Sequence, residues 1–99
     1  MTKARNNYIY ELKGTILNRQ PAQPSPASKY AGQTYYKLFT KLENQPNKVL
    51  QVFSNKLANP EIWTAIVQGQ CLQKKYLFKC RNQRGFYYLV DWEEINHDE

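Results

Sequence analysis

Along residues 34–43, TYYKLFTKLE, one set of alternate positions holds Tyr35, Lys37, Phe39 and Lys41, and the other holds Tyr36, Leu38, Thr40 and Leu42. In a strand, alternate side chains leave opposite faces. The second set can enter a core. The first sets ring, cation, ring, cation along one face, which suits a polymer that offers flat bases and phosphates together. The same residue types crowd residues 74–92, KKYLFKCRNQRGFYYLVDW, where five Lys and Arg and six aromatic rings share nineteen positions. Rings at 76, 78, 86 and 87 cannot all face a barrel interior if the register alternates, so some are expected outside or against a second subunit. The candidate binding set is therefore Lys13, Lys37, Lys41, Lys74, Lys75, Lys79, Arg81 and Arg84 for phosphates, with Tyr35, Phe39, Tyr76, Phe78 and Tyr87 for stacking. Trp63 and Trp92 are expected in the core or at an interface.

The charge supports that reading. Fourteen Lys and Arg face eight Asp and Glu, a formal +6, and five of the acids, Asp91, Glu93, Glu94, Asp98 and Glu99, fall in the last nine residues. A field this strong on 99 residues favours a polyanionic partner.

Other chemistries find little support. Two cysteines, Cys71 and Cys80, and a single His97 cannot supply four zinc ligands, so no metal or other cofactor is expected. There is no P-loop, dinucleotide fingerprint or nucleophile elbow, and an enzyme is not expected. The start, MTKARNNYIY, reads as the end of a cytoplasmic or organelle-interior chain with reduced thiols, and no run approaches the length of a membrane helix. Both cysteines are expected to be packed residues.

One small domain is expected, because a second would be too small to bury a core of its own. Residues 1–7 read as a basic arm, 8–95 as the domain and 96–99 as a short acidic end. Alternation predicts a strand over 8–17, with Gly14 at a bend. The proline-rich stretch 18–33 predicts a long loop. Further strands are expected at 34–43, at 49–55, from Trp63 through to residue 80, and at 86–95. A basic tip, RNQRG, joins the last two, with Gly85 supplying a positive φ. Asn59-Pro60 predicts a capped turn of helix at most. The result is an all-β, five-stranded barrel with a long basic and aromatic hairpin and little or no helix.

This order resembles the OB-fold, and several short words resemble the single-stranded DNA-binding protein family and its primosomal relatives. LKGTI at 12–16 is similar to that family's first strand, FSNKLAN at 53–59 to the segment after its third, and VQGQ at 67–70 to a V-x-G word of its fourth. The basic hairpin occupies 73–87. The family usually carries a longer helix between its third and fourth strands and a long acidic tail; here about ten residues and the terminal NHDE stand in their places. The small relatives encoded by cyanobacteria and algal plastids are similar in size.

The resemblance and the residues together imply sequence-tolerant binding of single-stranded DNA in replication, recombination or repair, in a nucleoid or organelle stroma. They also imply a homodimer or homotetramer and replication or primosome proteins as partners. Two rivals use the same residues: a protein-interaction or self-assembly module, and a binder of single-stranded RNA.

Overall fold

The computed structural model of the protein describes residues 8–29 and 31–95. The expected arm at 1–7 and acidic end at 96–99 lie outside the described residues. Five strands, β1 (Tyr10–Ala22), β2 (Tyr35–Leu42), β3 (Lys48–Val52), β4 (Lys75–Gln83) and β5 (Phe86–Glu94), close into a barrel in the order β1-β2-β3-β5-β4. All neighbours are antiparallel except β3 and β5, which run parallel and meet at Leu50–Tyr87 and Gln51–Tyr88.

The long first strand binds the barrel together, pairing through residues 10–15 with β4 and through 14–22 with β2. At Gly14 both neighbours are present. A Cβ there would fall 2.3 Å from the Lys41 carbonyl oxygen, so only glycine lets the strands approach this closely. A bulge between Ile16 and Asn18 reverses the facing. Leu12 and Ile16 point inward before it, whereas Arg19 pairs with inward Leu38 after it and Leu17 is left exposed. The expected loop at 18–33 is shorter than the proline content suggested, because residues 18–22 stay paired to β2. Pro21 is tolerated there because that stretch has a partner on one side only, and its missing N–H breaks no ladder.

One short helix, α1 (Pro60–Gln68), stands where the sequence reading placed the start of a strand. Asn59 caps it by accepting from the Glu61 N–H at 3.0 Å, Pro60 occupies the first turn, and Gly69 at φ 75° ends it in the left-handed region. Ile62 and Ile66, one turn apart, are buried in the barrel core. That spacing outweighs the strand preference of the β-branched residues.

The β4–β5 hairpin turns on two residues only, Arg84 at φ 55° and Gly85 at φ 87°. Both values are positive, as a two-residue turn matched to strand twist requires. Arg81, Asn82 and Gln83, expected in the tip, belong to β4. A second bulge places Lys79 opposite Asp91 and Cys80 opposite Leu89, leaving Val90 as the extra residue. Among the fully enclosed core residues are Ile16, Leu38, Leu50, Ile66, Phe78 and Leu89. Buried Thr40 is satisfied by donating to the Lys48 carbonyl at 2.8 Å.

Candidate nucleic-acid interface

The alternation of β2 is as expected: Leu38, Thr40 and Leu42 are buried, while Tyr35, Lys37, Phe39 and Lys41 face outward. Barrel closure then places residues from distant parts of the chain beside them. The register joins Gln20, Lys37, Gln51, Tyr88 and Arg81 into one lateral row across all five strands. Parallel to it, Asn18, Phe39 and Val49 form a second row. Phe86, 55% exposed, continues this face toward the hairpin tip.

On the other side of the central row the Tyr35 ring stacks flat on Phe53, 4.6 Å between centroids and 7° between planes. Phe53 in turn lies 5.8 Å from Tyr88, and the Lys56 ammonium sits 5.6 Å from the Tyr88 centroid. The β1–β2 loop folds over this cluster, with Gln23 donating to Thr34 at 2.7 Å and Gln33 donating to Asn55 at 3.2 Å. Between loop and rings runs a slot of about 370 Å³. The acidic side chains of the described residues, Glu11, Glu43, Glu61, Asp91, Glu93 and Glu94, all lie outside these rows. The face therefore presents rings and cations without carboxylates.

Several expected site residues lie elsewhere. Tyr76 and Phe78 are core residues, 4% and 0% exposed, because β4 alternates with Tyr76, Phe78 and Cys80 inward and its charged residues outward. Tyr76 stacks on Trp92 at 4.1 Å, so its ring is already covered. Burial pushes its phenol up to about 12, with the nearby Cys71 and Glu94 adding to the shift. Tyr87 packs against the core with Tyr10 at its edge, 5.5 Å away, and Lys48 over its ring at 4.8 Å. It is the neighbouring Tyr88 that faces outward in the row.

The cations divide in the same way. Lys79 donates to Glu93 at 2.9 Å, and this bond, with the charges of Glu93, Asp91 and Glu11, holds its ammonium above the usual range. Lys75 is paired with Glu43. Lys13 lies beside Leu77 on the β1–β4 side, and Lys74 lines a groove under α1. None of these four belongs to the rows around Tyr88. Lys37 and Arg81 do; Arg84 stands at the adjoining tip, and Lys41 at the far end of the β2 face.

The residues that the sequence reading missed are Gln51, Phe53, Lys56, Phe86 and Tyr88. The alternation of FYYLV carried a signal for Tyr88, because Leu89 is the natural core residue and its neighbour must face away. Trp63 and Trp92 pack against the core as expected, and Cys71 and Cys80 are buried free thiols. Burial pushes the Cys80 thiol up to about 12 and raises that of Cys71 as well. Among the described residues no His, Cys, Asp and Glu cluster could hold a metal ion, and no helix is long and apolar enough to cross a membrane.

A closed five-stranded barrel in this order, with one helix between the third and fourth strands, defines an OB-like barrel. No family model, curated protein or solved structure matches the chain.

Proposed function

We propose that the protein binds single-stranded DNA without catalysis, on the outer face of β2, β3 and β5. The observation that carries this reading is the lateral row Lys37–Gln51–Tyr88–Arg81 beside the Tyr35–Phe53 stack, a surface of rings between cations. OB barrels bind oligonucleotides on the same strands, between the β1–β2 and β4–β5 loops. A ring contributes about 1–3 kcal/mol per stacked base, and cations at both ends of the row attract the phosphates between which those bases hang.

One barrel spans only a few nucleotides, so the proposal includes assembly into a homodimer or homotetramer, and service in replication, recombination or repair in a nucleoid or organelle stroma. Fluorescence anisotropy with a labelled oligothymidine and with its duplex, at two salt concentrations, tests the reading. Preference for the single strand with affinity falling as salt rises is expected. Absence of binding at low salt would overturn it in favour of a protein-interaction surface. Equal binding of oligouridine would widen the ligand to RNA.

A further inference from the structure

Gln51 is a polar residue only 9% exposed, set among the rings on the outside of the barrel. Its backbone pairs with Lys37 on one side and Tyr88 on the other, so the side chain is held on the face by both neighbouring strands. It lines the slot together with Tyr35, Phe53, Phe86 and Tyr88, and the β1–β2 loop closes the slot with Ser25 and Ser28. Its carboxamide has no hydrogen-bond partner among the described residues. An enclosed amide without a partner is costly, and in a folded protein its presence asks for a reason. A slot of about 370 Å³ is at the small end of ligand pockets, of a size for a flat group rather than a chain.

We infer that this slot receives one nucleobase and that Gln51 reads its edge, so that the protein prefers adenine at one position of an otherwise unselected strand. The inference rests on the proposed single-strand binding. A carboxamide offers one donor group and one acceptor side by side. Adenine matches this pair through N6 with N7, the pairing that glutamine makes in the major groove. In an unpaired strand its N1 is also free, so N6 with N1 provides a second match. Cytosine offers only N4 with N3. Thymine can match through N3 with O4 or O2, but its single ring covers less of the Tyr35, Phe86 and Tyr88 surfaces than a purine does. Adenine combines both advantages.

The test uses the full chain with fluorescein-labelled dA8, dT8 and dC8 at one fixed salt concentration. The dA8 strand is expected to bind about tenfold more tightly than dC8, as one bidentate contact allows. In Gln51→Leu, which keeps the bulk, and in Gln51→Ala, the three strands should fall within about twofold of one another while dC8 affinity stays near that of the unaltered protein. Thermal melting shows which variant is folded, and either suffices. Equal binding of the three strands by the unaltered protein overturns base reading and leaves single-strand binding standing, as does a preference that survives in both variants. Failure to bind any of the three removes the parent proposal and this one with it.

Discussion

The rings of Tyr35 and Phe53 lie nearly parallel, 4.6 Å apart at their centroids, although neither belongs to the barrel core. Phe53 is 5% exposed because Tyr35 covers it on the outside of the sheet, and Tyr35 thereby offers its free side to a ligand. Replacing Tyr35 by Ala should weaken oligothymidine binding by about 5- to 150-fold, the range set by one stacked base. The accompanying stability loss should be about 1 kcal/mol, the size of one aromatic pair. Tyr35→Phe should restore both. An Ala variant that binds as before would remove Tyr35 from the interface.

Salt dependence separates the cations. Removing one cation that neutralises a phosphate of a single strand lowers the slope of log affinity against log salt by about 0.7. Lys37→Gln and Arg81→Gln should each do so. Lys79→Gln should leave the slope unchanged, because Glu93 already holds that ammonium. A slope that responds to Lys79 and ignores Arg81 would move the binding face to β1 and β4.

Phe78 is fully enclosed, so Phe78→Ala should destabilise the fold by about 3–5 kcal/mol in urea denaturation. Phe39, outward and half-buried, should cost about 1 kcal/mol when truncated and should act on binding instead. Comparable losses for the two would contradict the assigned facings.

Gly14→Ala should be more harmful than its size suggests. The new methyl would meet backbone, the Lys41 carbonyl, rather than the end of a flexible side chain. Overpacking of this kind costs about 1–3 kcal/mol, read as a lowered melting temperature. An unchanged melting temperature would show that β1 and β2 separate easily.

Alkaline pH should unfold the protein earlier than charge repulsion alone. The Cys80 thiol and the Tyr76 phenol are both pushed up to about 12 in the fold, from ordinary values of 9.0 and 10.0. The unfolded chain therefore loses these protons first, and stability falls as pH rises. The contribution is whole below pH 9 and declines toward pH 12. Urea midpoints measured across that window should fall, and less steeply in Cys80→Ala. A decline of equal steepness in that variant would show that the thiol plays no part. At neutral pH neither thiol should react with Ellman's reagent until the protein is unfolded.

Much of this molecule could be read along the chain. The period of two in TYYKLFTKLE placed Tyr35, Lys37 and Phe39 outside correctly, because facing in a regular strand is a local property. Gly85 marked the hairpin turn for the same reason. Where the local pattern had two readings, the reading along the chain went wrong. Residues 60–68 combine β-branched side chains with an Asn-Pro-Glu start and with Ile62 and Ile66 four apart, and burial at the barrel end decided for helix. Tyr87 and Tyr88 are the same residue type in adjacent positions, and their facings depend on pairing with β3. Tyr76 and Phe78 were assigned to the ligand by their chemistry, when their alternation with Lys75, Lys79 and Arg81 already allowed them to be the buried set.

By itself the sequence determined the basic charge, the strand periods, the turn at Gly85 and the cap at Asn59, all of which depend on residues near one another in the chain. Only the tertiary structure decided that Lys37, Gln51, Tyr88 and Arg81 share a row, and that Lys75 and Lys79 are already matched to carboxylates. Those neighbours come from separate strands brought together by barrel closure, and a pairing across closure depends on register and bulges that no local pattern encodes.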